Sequence, residues 1–146
     1  MREVRRLSAL GRERAAFALL RKAADAHPRN ARLQHDTAEL ARRLNEADLA
    51  VAYYRKASAA FSNDGFSRHA VAPLRSAWLI TKSGLPGTSE SFVGIASELV
   101  RLQTQLGFAA DAKMLLDMTD GAFAKAGLST PEQLAELRQT PALAVG

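Results

Sequence analysis

The chain of 146 residues contains no cysteine. This absence excludes disulfides, thiolate nucleophiles, and zinc or iron–sulfur sites held by cysteine. Aromatic residues make up only 6% of the chain, which has 9 glycines and 5 prolines, whereas a β-sandwich or barrel needs aromatic and β-branched residues and frequent turns. Alanine, the strongest helix former, supplies about a fifth of the residues. The composition therefore predicts an all-α fold.

Long apolar segments are also missing. No run reaches the roughly 18 residues that would cross a bilayer, and the charged segment 1–6 is not followed by an extended apolar stretch. We therefore expect no membrane span and no secretory signal, which makes the cytoplasm the expected location. The 47% of apolar residues is enough to build one buried core, and residues 1–146 are interpreted as a single domain.

Positive charge is concentrated at one end of the chain. Residues 1–32 hold nine Lys or Arg against three Asp or Glu, a net charge of +6. Residues 33–146 hold 11 bases against 12 acids, a net charge of −1. A one-sided basic surface can bind an acidic protein segment, nucleic acid or an anionic membrane. A solvated helical hairpin that binds nothing would show the same pattern.

Apolar and small residues recur at spacings of three and four along most of the chain, which is typical of amphipathic helices. Short turns separate these segments, so neighbouring helices should run antiparallel. The loop 83–87 is expected to join two sub-blocks, residues 1–82 and 88–140, and residues 141–146 to form a loose tail. The pattern predicts about seven or eight helices, the clearest at 12–26, 31–44, 46–61, 66–81, 88–106, 108–125 and 131–139.

Finer expectations concern the ends and faces of these helices. In the segment 12–26, Leu19 is expected on the buried stripe, and Thr130 is expected to cap the last helix. Pro73 removes one backbone hydrogen bond inside the helix at 66–81 and should kink it.

Two apolar groups stand out in this pattern. The aromatic residues near the central turn are expected to form the core, with Trp78 as the alternative candidate for an exposed anchor. A stripe near the end of the chain should be covered by the helix at 131–139, and would drive homodimerisation if it stayed uncovered. The first group is Tyr53, Tyr54, Phe61, Phe66 and Trp78, and the second is Met114, Leu115, Leu116, Met118, Ala122 and Phe123.

One spacing occurs four times. A turn residue is followed five residues later by alanine, then four later by a bulky residue, then three later by a small one. Glycine or asparagine permits the tight turn, and the small residues allow helices to approach closely. The four series are Gly11, Ala16, Leu20, Ala23; Asn45, Ala50, Tyr54, Ala57; Gly65, Ala70, Leu74, Ala77; and Gly107, Ala112, Leu116, Thr119.

The segments that carry this spacing resemble the tetratricopeptide repeat, a helix–turn–helix unit of about 34 residues. The resemblance covers roughly residues 1–120 and implies a solenoid of paired helices. The turns at Asn45 and Gly65 are closer together than one repeat, so the middle should be irregular. The matching segments are LGRERAAFALLRKAADAHPRN, LNEADLAVAYYRKASAAF, DGFSRHAVAPLRSAWLI and LGFAADAKMLLDM.

The resemblance also implies a function. In this family the first helices of the repeats line a concave groove that binds segments of other proteins. We therefore expect a non-enzymatic adaptor or scaffold that holds an acidic or amphipathic partner segment, without metal or other cofactor. Transferred position by position, the partner-binding residues implied by the family are Arg5, Arg32, His35, Glu39, Arg42, Arg43, Arg55 and Arg101.

Two alternatives stay open at this point. The basic segment 1–32 could bind nucleic acid, although Phe17 is its only aromatic residue and a stacking platform is lacking. The chain could also be a structural subunit of a larger assembly, since the first repeat would be truncated. Catalytic signatures such as HExxH, GxSxG or a phosphate-binding GxxxxGK[ST] do not occur.

Overall fold

The computed structural model describes residues 2–144, and every regular element in that range is a helix. The all-α prediction is therefore confirmed, with nine helices where about seven or eight were expected. None of these helices has the length and apolar character needed to cross a membrane. The helices are α1 (Arg2–Ala9), α2 (Glu13–Ala26), α3 (Ala31–Arg43), α4 (Ala47–Asn63), α5 (Ser67–Ser83), α6 (Ser89–Gln105), α7 (Ala109–Lys125), α8 (Glu132–Leu137) and α9 (Pro141–Ala144).

The chain divides into two compact units, and the boundary falls between Pro73 and Leu74, inside α5. We call them unit 1 (residues 1–73) and unit 2 (residues 74–146). The sequence had suggested a division at the loop 83–87 instead. In unit 1, α1 packs on α2, α2 on α3, and α3 on α4, which share the most extensive contact. In unit 2, α6 packs on α7 and α8, and α7 on α9.

The repeated turn residues have a common backbone geometry. Gly11, Asn45, Gly65 and Gly107 all have positive φ values, of 75°, 60°, 84° and 84°. At each turn the next residue donates its backbone N–H to a carbonyl five residues earlier, at 2.8 or 2.9 Å. This is the Schellman arrangement, which satisfies carbonyls left open at a helix end. The turn at Gly127 repeats it, with Leu128 N–H bonded to Phe123 O at 2.8 Å.

The residues that follow each turn are buried as the spacing predicts. Ala16, Ala50, Ala70 and Ala112 are all fully buried, because a methyl group is the largest side chain that fits where helices approach closely. The bulky residues four positions later also lie in the cores of their units. These are Leu20, Tyr54, Leu74 and Leu116.

Two glycines of unit 2 should respond oppositely to alanine. Gly107 has φ +84°, a conformation that costs an L-residue about 1–2 kcal/mol, whereas Gly121 lies inside α7, where alanine gains about 0.5–1 kcal/mol. A Cβ at either position would meet no heavy atom within 4 Å, so only the backbone distinguishes them. Chemical denaturation should show Gly107→Ala less stable than the original chain and Gly121→Ala more stable. Equal shifts of the same sign would contradict the turn geometry.

The aromatic residues near the central turn do not share one environment. Tyr53, Tyr54 and Trp78 are buried, Phe61 is half-buried, and Phe66 is 56% exposed. The core prediction therefore fails for Phe66, and Trp78 is a core residue rather than an exposed anchor. The Trp78 indole Nε1 donates to Thr119 Oγ1 at 3.1 Å, so its polar group is satisfied inside unit 2.

The helix ends and faces show two further differences. Leu19 is exposed and Phe17 is buried in its place, because α2 buries the face that carries Ala16 and Leu20. Thr130 does not cap α8: the carbonyl of Pro131 accepts the first N–H bonds of that helix.

The expected loose tail also contains structure. The segment Pro141–Ala144 forms the short helix α9, which packs on α7 and buries Leu143. Residues 145 and 146 of that expected tail lie outside the described range. An apolar side chain at the end of the chain therefore completes part of the core of unit 2.

Candidate functional site

A groove of about 480 Å³ lies in unit 1, lined by residues of α1, α2 and α3 and by Asn30. Its apolar lining consists of Val4, Leu20, Leu33 and Leu40. The groove therefore offers apolar contact surface and charged groups in one place. Its polar lining is Arg5, Ser8, Asn30, Arg32, Asp36, Glu39 and Arg43.

Helix α3 supplies most of the charged residues because of its periodicity. Arg32, Asp36, Glu39 and Arg43 are separated by four, three and four residues, a spacing that places them on one helical face. The start of α3 is fixed by Asn30, whose Oδ1 accepts the backbone N–H of Leu33 at 3.0 Å. The charged face is thus held in a defined position at the groove.

The cations of the groove are weakly engaged. Arg32 Nε lies 3.3 Å from Asp36 Oδ1, and Arg43 Nη1 lies 4.0 Å from Glu13 Oε1. Their side chains are 83% and 59% exposed, so solvent screens both pairs and the guanidinium groups can exchange partners at little cost. Arg5 is exposed on α1 and forms no ion pair among residues 2–144. Three arginines against Asp36 and Glu39 leave the lining with a net charge of +1.

Glu39 is the fixed acid of this groove. Tyr54 Oη donates to Glu39 Oε1 at 2.8 Å, Arg42 Nη2 donates to Oε2 at 2.8 Å, and His35 Nε2 lies 3.6 Å from Oε1. Partial burial alone would raise the pKa of Glu39, but the hydrogen bonds from Tyr54 and Arg42 and the nearby positive charge outweigh it and lower the pKa. Glu39 is therefore ionised at neutral pH and holds Arg42 in place.

The residues implied by the family resemblance fall into three groups. Arg5, Arg32, Glu39 and Arg43 line the groove together. His35 and Arg42 contact Glu39 and do not line the groove. Arg55 is half-buried on α4, and Arg101 is exposed on α6 in unit 2.

The chain matches no known family model, no curated protein and no solved structure. The groove is therefore characterised by its own residues.

The sequence did not predict the apolar lining of this groove. Leu33 and Leu40 belong to the apolar stripe of α3, and such a stripe predicts burial but not the surface on which the helix packs. Leu40 is buried, whereas Leu33 is half-exposed, and the periodicity does not distinguish them.

Another groove of unit 1, of about 570 Å³, has a different character. Arg29, Lys56, Asn63 and Asp64 line it, and its apolar contacts come only from proline and alanine. None of the eight partner-binding residues implied by the family resemblance lines it, whereas four of them line the groove of α1, α2 and α3. We therefore take the groove of α1, α2 and α3, called the arginine groove below, as the candidate site.

Proposed function

We propose that the arginine groove binds a short segment of a partner protein that carries both acidic and apolar side chains. The chain would then act as a non-enzymatic adaptor of the tetratricopeptide-like class, working in the cytoplasm. One observation carries the proposal: three arginines, Arg5, Arg32 and Arg43, surround an apolar lining in a single groove.

Each part of the groove has a role in this binding. Apolar side chains of the partner would contact Val4 and Leu33, which are both half-exposed. They would gain roughly 25 cal/mol for each Å² of apolar surface removed from water. The planar guanidinium groups can each donate two parallel hydrogen bonds to a carboxylate. The groove volume of about 480 Å³ is within the range of 300–1,000 Å³ that is typical of ligand sites.

The acids of the groove determine where the partner's charges can lie. Glu39 is held ionised, and Asp36 is already close to Arg32. A partner carboxylate would therefore be repelled from Glu39 and attracted to Arg5 and Arg43. This arrangement favours one register of the bound segment, since like charges placed together are unfavourable.

Nucleic acid is the main rival for this surface. Unit 1 contains 14 Lys and Arg against 8 Asp and Glu, a net charge of +6, which attracts any polyanion. The lining of the arginine groove, however, contains no aromatic side chain on which a base could stack. Its leucines instead match an apolar side chain, which favours a peptide.

The test begins with a displayed library of random dodecapeptides selected on the full chain. We expect the bound peptides to be enriched in Asp or Glu next to Leu, Ile or Phe. The tightest peptide is then synthesised with a fluorophore, and its affinity is measured by anisotropy for three proteins: the original chain, Arg43→Glu and Arg12→Glu. Arg12 is an exposed arginine of unit 1 that does not line the groove, so its reversal is the matched control for net charge.

Arg43→Glu should weaken peptide binding about tenfold or more, because a hydrogen bond to a charged group contributes about 1.5–3 kcal/mol. Arg12→Glu should change the affinity by less than about threefold, since distant charges are screened at physiological salt. Selected peptides without acidic residues would contradict the proposal, as would equal losses in the two variants. Binding of single-stranded DNA that is tighter than that of any peptide and falls steeply with salt would favour the rival.

Arg43 is a better choice for this test than Arg42. Both Arg42→Glu and Arg43→Glu place a second carboxylate one helical turn from Glu39. Arg42, however, is hydrogen-bonded to Glu39 at 2.8 Å, so its replacement also leaves the half-buried Glu39 without its cation, whereas the side chain of Arg43 makes only a 4.0 Å ion pair with Glu13. A loss of binding in the Arg42→Glu variant would not distinguish a direct contact from a disturbed α3.

A further inference from the structure

We infer that an apolar groove in unit 2 joins two copies of this chain, independently of the arginine groove. The groove has a volume of about 370 Å³ and is lined by residues of α5, α6 and α7. Its most exposed apolar side chains are Leu79 at 51%, Met114 at 61% and Met118 at 45%. Trp78 and Leu115 are buried beneath them and belong to the same lining.

Met114, Leu115 and Met118 of this lining belong to the stripe that the sequence predicted would be covered by the helix at 131–139. Leu115, Leu116, Ala122 and Phe123 are buried within unit 2, whereas Met114 and Met118 stay exposed. The two methionines lie one turn apart on α7, and Leu79 lies on α5. Contact with another molecule would remove this apolar surface from water, which is the dominant favourable term in most protein association.

The charge balance of unit 2 favours a second copy as the occupant. Unit 2 contains six Lys and Arg against seven Asp and Glu, a net charge of −1. Two copies that meet through unit 2 therefore repel each other little, whereas two copies of unit 1, each at +6, would repel strongly. The strongly basic unit attracts anionic partners, and the nearly neutral unit is suited to self-association.

The groove also carries one charge of each sign. Arg75 comes from α5 and Asp111 from α7, and both side chains are exposed. A two-fold interface uses the same surface on both subunits, so that a residue i facing j implies j facing i. Arg75 of each copy would then face Asp111 of the other, and the dimer would gain two equivalent ion pairs. A groove with a single sign of charge would not be self-complementary in this way.

The oligomeric state of the full chain tests this inference. Sedimentation velocity over a wide range of protein concentration should show a species of twice the 15.7 kDa chain mass, in rising proportion with concentration. The double variant Met114→Ser, Met118→Ser should remove that species. The matched control changes two apolar residues of unit 1 with similar exposure, Leu10 at 57% and Phe66 at 56%, to serine and should leave the dimer intact.

A charge exchange tests the two-fold pairing. Arg75→Asp alone should weaken dimerisation about tenfold. The new carboxylate of each copy would face Asp111 of the other copy, so the dimer would contain two repulsive pairs. Asp111→Arg alone should do the same, although it also removes an acid from the first turn of α7. The double variant Arg75→Asp, Asp111→Arg should restore dimerisation, which no loss of helix stability could produce.

Three results would overturn the inference. One is a chain that stays monomeric at roughly 100 μM, because self-association weaker than this is far from a stable complex. This result would overturn the inference even if the groove bound another protein. Another is a dimer that persists in the Met114→Ser, Met118→Ser variant. The third is a charge exchange that fails to restore what each single change removed. None of these results bears on peptide binding in unit 1.

Discussion

Replacement of Phe92 by alanine is expected to lower the free energy of unfolding by about 3–5 kcal/mol. Phe92 is fully buried in unit 2. The centroid of its ring lies 5.6 Å from the ring centroid of Trp78 and 5.5 Å from that of Phe123. Removal of the ring takes away its apolar contacts and both aromatic interactions. It also leaves a cavity between α5, α6 and α7 that rigid helices cannot fill.

The matched control for this change is Phe66→Ala. It removes the same atoms from a side chain that is 56% exposed. The ring of Phe66 packs edge-to-face with that of His69, with 5.8 Å between the ring centroids. We expect its effect to stay below about 1 kcal/mol, as for most surface substitutions. Urea denaturation followed by far-UV circular dichroism measures both variants. Similar losses at the two positions would show that the burial assigned here to Phe92 and Phe66 is wrong.

Replacement of Thr119 by valine should cost about 1–3 kcal/mol, although it changes the side-chain shape very little. Thr119 Oγ1 accepts the indole N–H of Trp78 at 3.1 Å and donates to Leu115 O at 2.7 Å. Trp78 is 1% exposed, so in the valine variant its N–H has neither a protein acceptor nor water. A buried donor without a partner loses its full hydration energy.

Thr37 provides the control for the loss of the local hydrogen bond. It is fully buried, as Thr119 is, and its Oγ1 donates to Leu33 O at 2.8 Å, the same bond to the preceding turn that Thr119 makes, but no indole donates to it. The difference between Thr119→Val and Thr37→Val in free energy of unfolding therefore reports the contribution of Trp78. Because Trp78 is the only tryptophan, its fluorescence should also change in the Thr119 variant alone. Equal effects of the two substitutions would contradict a role for the indole bond.

The parts of the fold that were predictable are those fixed over short distances along the chain. The turns at Gly11, Asn45, Gly65 and Gly107 depend on one residue with positive φ and on bonds within one helical turn. The alanines five positions later are buried because the next helix begins immediately. The spacing of these residues is therefore sufficient to place the helices to within about two residues.

Burial of large side chains was less predictable because it depends on distant parts of the chain. Phe66 and Phe92 are the same residue type and each lies next to a serine along the chain, yet one is exposed and the other fully buried. The difference comes from Phe123 and Trp78, which reach Phe92 from other helices. Leu143 is likewise buried through its position against α7, which local sequence does not encode.

The arginine groove was predictable only in part. The family resemblance implied eight partner-binding residues, and four of them, Arg5, Arg32, Glu39 and Arg43, line the groove together. The hydrogen bond of Glu39 with Tyr54 depends on how α4 packs on α3, which the local sequence does not encode. Asp36 and Glu39 lie in the same lining as three arginines and reduce its net charge to +1.

The packing of each helix on its neighbours in sequence bears on how fast the chain folds. The contacts α1–α2, α2–α3, α3–α4 and α6–α7 all join helices that are consecutive along the chain. Each hairpin closes a loop of only a few residues, so little chain entropy is lost before native contacts form. Domains with such short-range contacts fold in microseconds to milliseconds. Each hairpin can therefore begin to form as soon as its second helix has left the ribosome.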